Sequence, residues 1–148
     1  MSGITLMGEP KKLPQSLTGK YSLIILNFKK DLSTKALAWR QLFQKNLSSI
    51  QDLKFYNICI FGEDDPLTRI WINHSIRYEV PKLTARNTFI ITYINQENFL
   101  KMMDMNKNSI YLVLLDRHAK ILMLEKKKNN NHLNLISEIR KNTPALLR

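Results

Sequence analysis

Cysteine occurs once in these 148 residues, at position 59. An internal disulfide needs two thiols and a cysteine-built zinc site needs more, so neither is available to this chain. Glycine (4) and proline (5) are also sparse, which excludes collagen-like and linker-dominated chains. Long apolar runs are missing. Leu23–Leu26 and Ile110–Leu115 are the longest, far short of the ~20 residues that span a bilayer. The opening residues lack the apolar core of a secretory signal. Acids are scarce there too, with Glu9 alone against five lysines in the first thirty residues. That balance is faintly like an organellar transit segment. The absence of arginine, with two prolines and three glycines, argues against an amphipathic presequence.

What is present suits one domain of ordinary size. A chain of this length buries roughly two-thirds of its unfolded surface, and 44% hydrophobic residues supply a core. The formal net charge is +11, and it is uneven. Residues 1–62 and 99–148 each carry +6, whereas residues 63–98 carry −1. A basic balance favours acidic partners: nucleic acid, an anionic membrane surface or an acidic protein face. A solvated basic surface, or a lysine- and asparagine-biased genome, accounts for it equally well.

The apolar pattern predicts an alternating α/β order. Tyr21–Phe28 reads as a central strand, without helical spacing. A helix is expected from about Ser33 to Leu47, capped by Asp31 or Ser33. Its stripe is Leu32, Ala36, Trp39, Phe43, Leu47 and Ile50, with Arg40, Gln44 and Lys45 outside. Phe55–Phe61 is a second strand. A helix begins near Asp65-Pro66 and ends at Val80-Pro81, with Leu67, Ile70, Trp71 and His74 on one face. Thr88–Ile94 is a third strand, followed by a short helix, Gln96–Met103, capped by Asn95. Ile110–Leu115 and Ile121–Leu124 form a hairpin through the turn Asp116–Lys120. Lys126–Asn131 is a polar loop. A closing helix carries Leu133, Leu135, Ile136 and Ile139, is followed by Ala145 or Leu146, and stops at Pro144. The alternating part implies parallel strands joined by right-handed crossovers, and the hairpin adds an antiparallel edge.

Candidate chemistry is thin. Cys59 alternates with Ile58 and Ile60 in a strand buried on both faces, where a thiol is usually inert. His74, His118 and His132 are dispersed, and no spacing matches a metal site. No Gly-rich phosphate loop and no nucleophile–base motif is present, so neither cofactor, metal nor catalytic residue is expected. Glu63-Asp64-Asp65 can hold a cation or simply complement a helix N-terminus. Lys29 and Lys30 follow the first strand, at the sheet end that borders the usual binding crevice of α/β folds. Lys126, Lys127 and Lys128 can touch phosphates or lipid headgroups or form a solvated loop. Met102 and Met103, near Met105, Phe99 and Leu100, suit either a core or an adaptable protein-binding surface. Trp39 and Trp71 fit core packing.

A strand ending in Leu115-Asp116, a turn through Arg117-His118-Ala119-Lys120, and a closing helix together resemble the C-terminal half of thioredoxin-like proteins. That resemblance implies a thioredoxin-like α/β fold over residues 1–148: a central mixed sheet flanked by helices, with residues 1–20 as a lead-in segment. Redox members carry a cysteine pair where this chain reads Phe28-Lys29-Lys30-Asp31-Leu32-Ser33-Thr34. They place a cis-proline where it reads Asn108-Ser109. Both redox hallmarks are missing.

Within that superfamily the chain most resembles the assembly factors of the mitochondrial ATP synthase Fo sector. The likeness rests on three stretches: Ile4–Lys20, the Trp71 helix ending at Val80-Pro81, and Asn98–Asn106 leading into the Tyr111 strand. One departure stands out: the family's Ile-Arg-Trp element after the turn is replaced by Ile121-Leu122-Met123-Leu124-Glu125 and a Lys/Asn run. The resemblance implies a non-enzymatic chaperone for a membrane-embedded ATP synthase subunit. It would act at the matrix side of the mitochondrial inner membrane, with peripheral contact to anionic lipid. The charge leaves open a ribosome- or RNA-associated protein, although no recognition motif supports it. A thiol enzyme built on Cys59 is the weakest alternative.

Overall fold

The apolar runs become the central strands of one seven-stranded sheet. In the computed structural model, residues 1–62, 66–80 and 83–143 are described. The elements are β1 (Ser2–Thr5), β2 (Pro10–Lys12), β3 (Tyr21–Asn27), α1 (Ser33–Asn46), β4 (Leu53–Phe61), α2 (Pro66–Glu79), α3 (Leu83–Arg86), β5 (Phe89–Tyr93), α4 (Gln96–Met103), β6 (Ile110–Asp116), β7 (Ile121–Lys127) and α5 (His132–Lys141). The strand order is β2-β1-β5-β4-β3-β6-β7. β3, β4 and β5 are parallel, and the late hairpin β6–β7 pairs antiparallel onto β3. This is the expected mixed sheet with its antiparallel hairpin and closing helix.

Side chains alternate between two faces. On one, Leu23, Ile25, Leu112 and Leu114 meet Ala36 and Phe43 of α1 and Leu135, Ile136 and Ile139 of α5. On the other, Ile24, Leu26, Ile58 and Ile60 meet Leu13 and Leu17, with Phe99 and Leu100 of α4. A third cluster joins Cys59, Phe61, Phe89 and Ile91 to Leu6, Leu37, Ile72 and Ile76. Strands covered on both faces read as continuous apolar runs, which is why β3 and β6 are conspicuous in the sequence.

Local chemistry sets several boundaries. Asn95 Oδ1 accepts from Asn98 N at 3.1 Å and caps α4. In the β6–β7 turn, Asp116 Oδ1 accepts from the backbone N–H groups of His118 and Lys120 (2.8 and 3.0 Å). These bonds, chiefly the one from Lys120, hold the Asp116 carboxyl below its usual range. Ala119 takes a left-handed conformation, φ 64°, to close the reversal.

Four expectations are corrected. Residues 1–20 are more than a lead-in: β1 and β2 form a hairpin that extends the sheet by pairing with β5. β7 runs through Lys127, so Lys126 and Lys127 belong to a strand. Neither Asp31 nor Ser33 caps α1; its N-cap is Leu32, without a side-chain bond, after a 3-10 turn over Lys30–Leu32. The Leu67, Ile70, Trp71, His74 stripe of α2 faces outward, and Ile72 and Ile76 are the buried pair. The N-terminal hairpin brings Leu6 onto the cluster that Ile72, Ile76 and Val80 complete. The sheet thus meets the smaller, β-branched stripe. The expected roles of Glu63, Asp64, Asp65, Pro81, Pro144, Ala145 and Leu146 lie outside the described residues.

Candidate functional site

Asn27 and Cys59 are register partners on neighbouring parallel strands, β3 and β4. Both are fully buried beneath the start of α1. Cys59 Sγ donates to Asn27 Oδ1 at 2.9 Å, and the Ser33 hydroxyl lies 3.6 Å from the sulfur. The Asn27 amide donates to Lys29 O (2.8 Å) and Ser33 Oγ (3.3 Å). Ser33 therefore turns inward and joins a small polar cluster. Burial pushes the Cys59 thiol up to about 12, against the opposing effect of its two hydrogen bonds. A thiol with that pKa is protonated at neutral pH, and no exposed sulfur is offered to a substrate.

The loop above this cluster, where the sequence resemblance implies the place of a redox site, carries other groups. Lys29 Nζ donates to Asn108 Oδ1 at 2.9 Å, tying the loop to the segment before β6. Lys30 Nζ stands 5.1 Å from the Trp71 ring centroid, a cation–π arrangement. The Gln96 side-chain amide donates to Phe28 O and Ile60 O, both at 2.8 Å, and closes the ends of β3 and β4. An open groove of about 460 Å³ lies here, lined by Phe28, Lys29, Lys30, Asp31, Ile72 and Gln96.

Trp71 is 61% exposed, contrary to the expected core packing. Leu67, Ile70 and Tyr78 are exposed on the same helix. Ile70 lines a second groove, about 300 Å³, with Ile4, Met7, His74 and Arg77. Ile4 and Met7 also expose much of their side chains. Side chains of α2 and of the N-terminal hairpin therefore expose apolar area that no other described residue covers, with Ile70, Ile4 and Met7 meeting at the groove. Contiguous exposed apolar surface of this kind marks interaction sites in soluble proteins.

The other candidate residues are scattered. Met102 is 75% exposed on α4, whereas Met103 is half-buried and Met105 packs against the core. Lys126 and Lys128 are exposed, but Lys127 is only 5% exposed and turns the other way. Its ammonium donates to Lys128 O and sits 4.3 Å from the Trp39 ring centroid. Lys35 approaches the same ring at 4.9 Å. Burial, and then repulsion from Lys35, lowers the Lys127 pKa. The three lysines thus do not form one contact surface, because strand alternation sends the middle one inward. Trp39 packs against the core as expected, half-buried between two cations.

Arg40 was expected on the polar side of α1, yet it is only 5% exposed. Nη1 donates to Asn57 Oδ1 (3.2 Å) and Thr88 O (3.5 Å), and Nη2 donates to Thr88 Oγ1 (2.6 Å). Burial pulls its pKa from 12.5 down to about 10. The signals for these missed groups lie in the apolar strands themselves. Asn27 ends a strand of apolar residues, and Asn57 interrupts Phe55–Phe61. A polar side chain in a doubly covered strand must find a buried partner.

Comparisons by sequence are empty: no family model and no curated protein matches. Solved structures match over nearly the whole chain. Yeast Sco1 aligns with a TM-score of 0.62 at 16% identity, over 97% of this chain and 92% of that one. Arabidopsis thaliana ScoI with copper bound gives 0.55 at 14%, over 95% and 96%. The thioredoxin domain of a Bacteroides vulgatus thiol-disulfide oxidoreductase gives 0.53 at 15%, over 94% and 91%. The fold is thioredoxin-like, and with one unpaired cysteine it lacks the dithiol of a disulfide oxidoreductase. Nor do the described residues assemble three His, Cys, Asp or Glu side chains that could hold a metal ion. The donor set of the described residues therefore does not fit the copper carried by the Arabidopsis structure.

Proposed function

We propose that this protein is a non-enzymatic, thioredoxin-like assembly factor that shields an apolar segment of a membrane-embedded ATP synthase subunit. The observation that carries the reading is the uncovered apolar surface of Leu67, Ile70 and Trp71 with Ile4 and Met7. A hydrophobic client segment buries such a surface favourably, at roughly 25 cal/mol per Å² of apolar area removed from water. Lys30 over Trp71 and Arg77 beside the second groove supply cations at its rim. These suit the headgroup-level ends of a transmembrane segment and an anionic lipid surface. Among the described residues no helix is long and apolar enough to cross a membrane, so in this proposal membrane contact is peripheral. In this proposal Lys29, Lys126 and Lys128 add contact to lipid, and exposed Met102, on α4 across the sheet from α2, is a separate point of contact. The identity of the client and the mitochondrial matrix location rest on the sequence resemblance.

Affinity purification of the tagged protein from native membranes, with mass spectrometry of its partners, tests this. Enrichment of ATP synthase membrane subunits is expected, together with its loss in an Ile70→Asp, Trp71→Asp double variant that still folds. Ribosomal proteins alone, with binding that falls steeply with salt, would replace the proposal with an RNA-associated role.

A further inference from the structure

Among the described residues, no acid balances the positive charge buried under α1. The one ion pair among the described residues joins Lys11 to Glu9, so Arg40 has no carboxylate partner. All three of its hydrogen-bond acceptors are neutral, and they occupy three of the five N–H donors of a guanidinium. Beside it, the buried Asn57 Nδ2 donor has no hydrogen-bond partner among the described residues. Flipping the Asn57 amide gives no relief, because Oδ1 already accepts from Arg40. The neighbourhood therefore holds a surplus of donors and one net positive charge. Buried charges are ordinarily paired, because an unpaired one forfeits its hydration without compensation.

Arg40 also lines a cleft of about 560 Å³. That volume falls in the range of small-molecule sites. The cleft runs between α1 and the N-terminal end of β4, away from both the redox-like loop and the α2 surface. Lys54, Gln41 and Gln44 line it from exposed positions, and Leu37, Leu53 and Phe55 supply apolar wall.

We propose that this cleft binds a small molecule bearing an oxyanion, a carboxylate or a phosphate, with Arg40 as its charge partner. Lys54 attracts the anion to the mouth, and the apolar wall accommodates a short carbon skeleton. An oxyanion supplies the acceptors that the guanidinium and its surroundings lack, through charge-assisted bonds. The lowered pKa of Arg40 is consistent with a cation held without its counter-charge.

Nuclear magnetic resonance of the ¹⁵N-labelled protein tests the site with two probes, inorganic phosphate and butyrate, at constant ionic strength maintained with chloride. Saturable shifts are expected at the Arg40 Nε–Hε signal and the amides of Asn57 and Thr88. The dissociation constant should lie below about 1 mM for at least one probe, with no response to chloride. Tighter phosphate points to a phosphorylated ligand, and tighter butyrate to a carboxylate with a short apolar tail; either supports the site. Arg40→Gln should weaken binding at least about tenfold, as expected for loss of a charge-assisted contact. Should that variant not fold, Gln44→Glu at the exposed rim serves instead. Its added negative charge should weaken binding at least about threefold. Shifts that stay linear to about 20 mM with both probes, or that are unchanged in the variant, would overturn the proposal. Arg40 would then be a structural link between α1 and Thr88 and nothing more.

Discussion

Helices α1 and α2 are both 14 residues long and share one apolar cluster, yet they treat their surfaces in opposite ways. α1 buries Ala36, Leu37 and Phe43, and with them two polar residues, Ser33 and Arg40. α2 buries only Ile72 and Ile76 and leaves Leu67, Ile70, Trp71 and Tyr78 in solvent. One helix takes polar groups inward, and the other sends apolar groups outward. Each departure is a place where stability does not explain the residue, and such places are where function is to be sought.

Substitutions that truncate the two helices should separate these roles. Phe43→Ala, in the fully buried face of α1, should remove about 4 kcal/mol in denaturant unfolding. Ile76→Ala, the corresponding anchor of α2, should remove about 3 kcal/mol. Equal and small losses would mean that neither helix is held by its inner face. Beneath both helices, Cys59 gives a pH signature. Its thiol ionises near 12 in the folded state against 9.0 for the free group, so the unfolded chain releases the proton first. Its contribution is complete below pH 9 and is lost as pH rises toward 12. At pH 11 the loss is about 3 kcal/mol. Cys59→Ala should flatten that alkaline slope; an unchanged slope would show that the sulfur is not sealed. Trp71→Ala should change stability by less than about 0.5 kcal/mol, as for an ordinary surface residue, while weakening client capture. A large stability loss from Trp71→Ala would mean that the outer stripe of α2 packs after all.

The parts that were legible in the sequence are those whose burial is two-sided. β3, β4 and β6 announce themselves through long apolar runs, broken in β4 only by Asn57 between Phe55 and Phe61, and α4 announces itself through Asn95 and its spacing. The hairpin β1–β2 could not be read this way. Pro10, Lys11 and Lys12 have no strand pattern, and their strand exists only because β1 pairs with β5 across almost ninety residues of chain. α2 was legible as a helix but not in its orientation. Two apolar stripes fit its sequence, and the choice between them depends on Leu6, which the hairpin delivers. Arg40 illustrates the same limit in reverse. Its position is polar by periodicity, and only the acceptors Asn57 and Thr88, from other elements, make its burial tolerable. In the sequence Lys127 is indistinguishable from its neighbours, because consecutive lysines look alike until a strand's alternation divides them.

The strand order also decides how partners cannot arrive. The two edges of the sheet are β2 and β7. One is three residues long, opens with proline and carries two lysines; the other ends Glu125-Lys126-Lys127. Short, charged and proline-bearing edges discourage another chain from adding a strand. Recognition by backbone pairing, the route of many extended-peptide binders, is therefore discouraged at the β2 edge, whereas β7 is seven residues long, apolar over Ile121–Leu124, and guarded only by the charges at its end. A partner that avoids the β7 edge is met by side chains, on the helix faces or in the clefts beside them. The β2 edge, with its proline and lysines, discourages copies of the chain from stacking there while that apolar surface waits in solvent.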